Sequence, residues 1–186
     1  WRAMCLQQTF GRRNSIMSWV DQLKESIPEY AKDIKLNLDA VINRSEIDPD
    51  YALHIAIASA FATGNSKLLA FLVGNSTNEI ERDAALGAGA IMAQNNVWYP
   101  YSRKSHDEEF KRVNGQLRMN IMGTHGGTTK AKFESYALAA SIIGKCDYCV
   151  SGHFDVLRNE GYTYEQLRDI GRIAATINAL AKILSA

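Results

Sequence analysis

The sequence predicts an all-helical fold, and three observations carry that reading. After Met17, apolar residues recur at spacings of three and four over most of the chain. No stretch shows strand-like alternation bounded by regular turn dipeptides. Only three prolines occur, Pro28, Pro49 and Pro100, so long helices are sterically permitted almost throughout. The 186 residues, 46% hydrophobic and 22% charged, suit a cored globular domain rather than a disordered chain.

Residues 1–16, WRAMCLQQTFGRRNSI, read as an extension outside the fold, disordered or carried over from cloning, and Cys5 goes with them. They lack the continuous apolar core of a secretory signal. The helical domain is expected over 17–186. Val20, Leu23, Ile27 and Tyr30 share one helical face, and Ile34 to Ile42 form a second short periodic segment. Asp50 is placed to cap a helix through YALHIAIASAFATG that ends near Gly64 and Asn65. Lys67 to Val73 form another short helix. Asn78 with Glu81 three residues on has the spacing of a capping box for a helix running toward Asn96. Residues 98–130 are the least regular, with a short helical stretch at Glu108 to Val113 and a GTHGG loop. Helices over Lys132 to Ile143, Cys146 to Asn159 and Tyr164 to Leu184 complete the chain. The runs AIASAFA, AALGAGAIMA and YALAASIIG leave little side chain between backbones, so those helices can pack at short range.

An internal echo predicts a duplicated helical unit. Residues 51–73 and 136–157 each read as a small-residue helix, a Gly-containing break and a shorter helix. A capped helix follows each, and Thr77, Glu79, Arg82 and Asp83 match Thr163, Glu165, Arg168 and Asp169. Cysteines occur only in the second copy, so chemistry is expected there.

The formal charge is +1, which gives no basic excess for nucleic acid or an anionic membrane. No apolar run is long enough for a transmembrane helix. Three cysteines exclude a disulfide scaffold, and the spacing of Cys146 and Cys149 suits redox or metal work in a reducing, cytoplasmic compartment. The two lie about one helical turn apart, so they can close a small-ring disulfide. Gly144 just upstream suggests that the pair opens a helix, where unpaired N–H groups and the dipole favour a thiolate. His153, four residues beyond Cys149, shares its face and can accept a proton. Glu134 lies on the preceding helix and reaches the imidazole if the two helices pack antiparallel.

Blander readings apply elsewhere. Zinc would find three ligands here but needs four for a closed site, and neither His125 nor Asp155 completes standard spacing. His54 in an apolar helix reads as a packing histidine. Arg118 reads as an ion-pair residue. GTHGG lacks the Lys and Ser or Thr of a phosphate loop.

Glu134, Cys146, Cys149 and His153, with the segments IPEYAKDIKLNL, AALGAGAIMAQNNVWY and LRMN, resemble the alkylhydroperoxidase AhpD family, within the carboxymuconolactone-decarboxylase-like group. The resemblance covers nearly all of 17–184. It implies a thiol peroxidase in which Cys149 attacks the peroxide and Cys146 resolves the sulfenic acid. His153 and Glu134 assist deprotonation through a water, and Tyr148, Asn95 and Asn96 line the site. It implies no bound cofactor or metal, and re-reduction by a dithiol such as a lipoyl group. It also implies a lipoyl-bearing or peroxiredoxin partner and a homo-oligomer, trimer or hexamer. One departure is clear. Members often read C-G-H-C, whereas here Asp147 and Tyr148 lie between the cysteines, and Tyr148 does not titrate near neutrality. Two other readings stay open: a thiol-disulfide adaptor or reductase without peroxide turnover, and a carboxymuconolactone-decarboxylase-like lyase.

Overall fold

A computed structural model describes residues 17–186, so the expectations for residues 1–16 and Cys5 lie outside the described residues. Those described form nine α-helices and no strand. They are α1 (Trp19–Glu25), α2 (Lys32–Asn43), α3 (Pro49–Thr63), α4 (Ser66–Gly74), α5 (Glu79–Lys104), α6 (Ile121–Thr124), α7 (Lys130–Gly144), α8 (Asp147–Asn159) and α9 (Tyr164–Ile183).

The centre is a pair of helices buried on every side. In α3 each residue from Ala52 to Ala60 is buried, and in α7 each from Phe133 to Ser141. A helix apolar all round has no solvent face and must lie in the interior. α3 and α7 pack on each other, and α5 and α9 pack on both. Alanines on these faces allow the close approach, while Ile55, Ile57, Leu138, Phe133 and Ile170 fill the remaining space. Each such large apolar side chain contributes about 1.5–3 kcal/mol on burial.

The element boundaries follow local chemistry. α1 is shorter than its periodicity suggests: it ends before Pro28, because the residue preceding a proline is pushed out of the helical region. Val20, Leu23 and Ile27 still reach the core, but Tyr30, beyond the break, is 79% exposed rather than on their face. α3 is capped by Asp48, not Asp50. The Asp48 carboxylate accepts from the Asp50 and Tyr51 N–H groups, with Pro49 at the first helical position. Gly64 ends it in the left-handed region at φ 76°.

Asn78 caps α5 through Glu81 N–H, but the reciprocal half of the box is not made. The Glu81 carboxylate turns inward instead, accepting from Tyr136 Oη at 2.5 Å, Thr128 Oγ1 at 2.7 Å and Lys132 Nζ at 3.2 Å. Burial pushes this carboxyl up, yet the three donors outweigh it and hold it below its ordinary value. The cluster ties α5 to α7. His54 is a packing histidine, fully buried with Nε2 2.9 Å from Ser76 Oγ, and burial lowers its pKa.

α5 also runs further than expected, through Pro100 to Lys104. A proline there removes one N–H and crowds the carbonyl four residues back. Packing offsets this: Trp98 meets Tyr101 at 5.8 Å, Tyr101 meets Phe110 at 5.7 Å, and Tyr99 meets Tyr148 at 5.2 Å between ring centroids. The helical stretch expected at Glu108 to Val113 shrinks to a 3-10 turn at Phe110–Arg112. The GTHGG segment holds the end of α6 and a 3-10 turn at His125–Gly127. Arg118 is exposed, without an ion pair among the described residues. None of the described helices is long and apolar enough to cross a membrane.

The run from α3 to α4 is like that from α7 to α8 at the joint between the helices. In both runs a buried 15-residue helix ends in a left-handed residue, Gly64 or Lys145. The residue after it then caps the next helix with its side chain.

Candidate active site

The site forms at the joint between α7 and α8. α7 closes at Gly144, and Lys145 takes the left-handed conformation at φ 54°, ψ 37°. A glycine is the usual occupant of that position, yet the glycine here is one residue earlier and serves a different need. A Cβ on Gly144 would lie 2.2 Å from Asn96 Nδ2, so the residue is small because α5 passes over it.

Cys146 is the N-cap of α8. Its sulfur accepts from the Cys149 N–H at 3.2 Å, replacing the oxygen that usually caps a helix. The two Cα atoms are 5.2 Å apart and the two sulfurs are joined as a disulfide. Cys146 is fully buried, and Cys149 reaches the surface of a cavity of about 400 Å³.

α7 and α8 fold back on each other, which brings Glu134 to His153. Glu134 Oε2 lies 2.6 Å from His153 Nδ1, with both side chains buried. An ionised carboxylate only accepts, so Nδ1 carries the proton of this bond. His153 Nε2 faces Met92 Sδ on α5 at 3.2 Å. Cys149 Sγ lies 3.8 Å from the Asn95 carbonyl oxygen.

The cavity is bounded by Met92, Asn95 and Tyr99 of α5, by Met119 and Met122, and by Glu134. Tyr148, Cys149, Gly152, His153 and Val156 of α8 close it. Of the residues read from the sequence, Glu134, Cys149, His153, Asn95 and Tyr148 therefore converge on one hollow. Cys146 lies behind it, bonded to Cys149. Asn96 does not line it: its amide donates to Ala140 O at 3.3 Å and accepts from Ser141 Oγ at 3.0 Å, bracing the end of α7. A larger hollow of about 590 Å³ lies against Trp98 and the 113–117 segment, lined by neither cysteine nor by His153 or Glu134.

Tyr148 is half-exposed, with the Arg103 guanidinium 3.6 Å over its ring. It walls the cavity with Tyr99. Asp147 is exposed in the first turn of α8. Among the described residues no three His, Cys, Asp or Glu side chains form a metal-ligand group.

Met92, Met119 and Met122 were not legible as site residues. Met92 falls in an apolar run of α5, and nothing in its spacing separates a core methionine from one facing a histidine.

The arrangement couples a buried carboxylate, an imidazole and a paired thiol beside an apolar hollow, which suits proton removal from a thiol and reversible disulfide chemistry. The carboxymuconolactone decarboxylase family matches residues 108–186. An alkyl hydroperoxide reductase AhpD of Maricaulis maris is 39% identical over 170 residues, spanning 90% of this chain and 98% of that protein. Its counterpart in Rhodospirillum centenum is 36% identical over 170 residues, 90% and 91% of the two chains. That of Coxiella burnetii is 35% identical over 166 residues, 86% and 93% of the two. The chain belongs to the alkyl hydroperoxide reductase AhpD family, within the carboxymuconolactone-decarboxylase-like group.

Proposed function

We propose that the protein reduces hydroperoxides with the Cys146–Cys149 pair. The observation that carries this reading is the Glu134–His153 hydrogen bond of 2.6 Å, buried beside Cys149 at the cavity. With Nδ1 held by Glu134, Nε2 is the nitrogen that takes the Cys149 proton, through a water in the cavity. The Cys149 thiolate attacks the terminal peroxide oxygen, the O–O bond breaks, and the alkoxide leaves as the alcohol once protonated. Cys149 is then a sulfenic acid. The Cys146 thiol attacks that sulfur, forming the disulfide and releasing water. A dithiol, such as a dihydrolipoyl group on a partner protein, returns both cysteines to thiols by exchange. A peroxiredoxin is the other proposed partner.

The apolar lining of the cavity favours an organic hydroperoxide over a purely polar one. Lactone decarboxylation needs no dithiol, so the paired cysteines speak against that chemistry. Assembly into a trimer or hexamer is part of the proposal, since Val97 and Tyr101 leave 71% and 61% of their surface open on one end of α5. The deciding experiment follows peroxide consumption with dihydrolipoamide as the sole reductant, wild type beside Cys149→Ser. Turnover in the wild type and none in the variant is expected. Disulfide cycling without peroxide loss in the wild type would leave a thiol-disulfide adaptor instead.

A further inference from the structure

We propose that Met92 is a positioning residue of this site: its sulfur accepts a hydrogen bond from the N–H that His153 carries on Nε2 and so sustains the Cys149 thiolate. The inference rests on the peroxidase reading for its purpose, but its geometry stands apart from it. An imidazole has two nitrogens, and here each has one neighbour. Nδ1 is 2.6 Å from Glu134 Oε2 and Nε2 is 3.2 Å from Met92 Sδ. The carboxylate accepts the hydrogen bond from Nδ1–H. When Cys149 loses its proton to Nε2, no electrons move and one N–H appears, aimed at the thioether.

In the disulfide form Met92 Sδ is the one protein acceptor within hydrogen-bond distance of Nε2 among the described residues. His153 is 8% exposed and Met92 1%, and both sit in the wall of the cavity. A buried N–H left without a partner costs about 1–3 kcal/mol, which would push the proton back onto sulfur. A thioether suits the position because it is a weak, polarizable acceptor. It satisfies the N–H without holding the proton against later release to the departing alkoxide. Helix α5 thus meets both ends of the transfer. Met92 faces the imidazole, and Asn95, one turn on, places its carbonyl 3.8 Å from Cys149 Sγ.

The experiment measures iodoacetamide alkylation of the fully reduced chain at fixed pH, with the Cys149 adduct located by peptide mass. Met92→Leu keeps apolar volume and removes the acceptor; Met92→Gln keeps length and restores an acceptor oxygen. The acceptor role predicts roughly three- to tenfold slower Cys149 alkylation in Met92→Leu, the effect of one modest hydrogen bond, and recovery to within about twofold in Met92→Gln. A role in packing alone predicts the reverse order, because Gln carries an amide into the core. Wild-type rates in Met92→Leu, or Gln slower than Leu, would overturn the proposal. Nitrogen-15 histidine spectra of the reduced wild type need no variant: a slowly exchanging Nε2–H on His153 is expected, and a bare Nε2 would sink the idea. Neither readout uses peroxide. A wild type that ignores peroxide yet shows the Leu and Gln order therefore refutes the peroxidase reading and leaves the role of Met92 in thiolate formation standing.

Discussion

Replacing Gly144 with alanine tests what positions the thiols. Helix propensity alone predicts a gain of about 0.5–1 kcal/mol, since Gly144 is the last residue of α7 and alanine favours helix. The packing predicts the opposite sign. The new Cβ would lie 2.2 Å from Asn96 Nδ2 and 2.8 Å from its Cγ. Asn96 cannot swing aside freely, because it donates to Ala140 O and accepts from Ser141 Oγ. Losing two such bonds costs about 2 kcal/mol together. Set against the propensity gain, the net loss is about 1 kcal/mol, or about 2–4 °C in Tm for a domain of this size. Circular dichroism during thermal or urea unfolding measures it. The same substitution in an Asn96→Ala background should lose most of its penalty, since only the Cβ at 3.0 Å is left in the way. A Gly144→Ala protein more stable than wild type, or an identical effect in both backgrounds, would refute the claim that Asn96 dictates the glycine.

Other predictions follow from the same geometry. Burial pushes Asp169 up, but hydrogen bonds from Arg168, the Glu46 N–H and Arg172 outweigh it and hold the carboxyl below its ordinary value. The unfolded chain then binds more protons in acid, so this stabilisation is complete above about pH 4 and disappears as pH falls through the lower folded value. Urea midpoints between pH 7 and 2 should decline less in Asp169→Asn than in wild type; equal declines would refute the assignment. Cys146→Ser should complete one stoichiometric turnover and leave sulfenic acid on Cys149, while Cys149→Ser should not react. A wild-type-rate adduct on Cys146 in the latter, by mass spectrometry, would reverse the roles. His153→Ala should slow the first step by about 10²–10⁴-fold in stopped-flow peroxide reduction. Light scattering at low micromolar concentration should give a trimeric or hexameric mass, with more than roughly 2,000 Å² buried; a mass near the single 20.7 kDa chain would refute it.

The helices were legible because their signals are local. Periodicity and caps located α2, α3, α4, α7, α8 and α9, with Thr163 and Gln166 forming a full capping box at the start of α9. Errors arose where a distant partner decides. Glu81 has capping-box spacing, yet Tyr136, 55 positions away, draws its carboxylate inward. Pro100 looks like a helix end, yet the aromatic packing of Trp98, Tyr99 and Tyr101 carries the helix past it. The site divides the same way. The spacing of Cys146, Cys149 and His153 is visible in one helix, and Glu134 follows once α7 folds back on α8. The contribution of α5 was not visible: Asn95 and Asn96 drew notice, but their separate roles depend on which face of α5 meets which helix.

The joint after α3 and the joint after α7 differ in the residues that turn the chain and cap the next helix. At the first, Gly64 turns the chain at φ 76° without steric cost, and the Asn65 side-chain oxygen caps α4 by accepting from Leu68 N–H at 2.9 Å. Both choices favour stability. At the second, a lysine occupies the left-handed position at φ 54°, which costs a side-chain-bearing residue about 1–2 kcal/mol. The cap is a cysteine, whose sulfur is a weaker acceptor than an amide oxygen. The turn therefore gives up stability at two successive residues. What it gains is placement: the capping atom is itself a redox-competent sulfur, held against the backbone N–H of the residue that carries the other. A helix N-terminus already stabilises negative charge through its unpaired N–H groups. Using cysteine as the cap puts both sulfurs in that environment with no further residue required. The third member, His153, arrives one turn later on the same helix, and only Glu134 and Met92 must be brought by other elements.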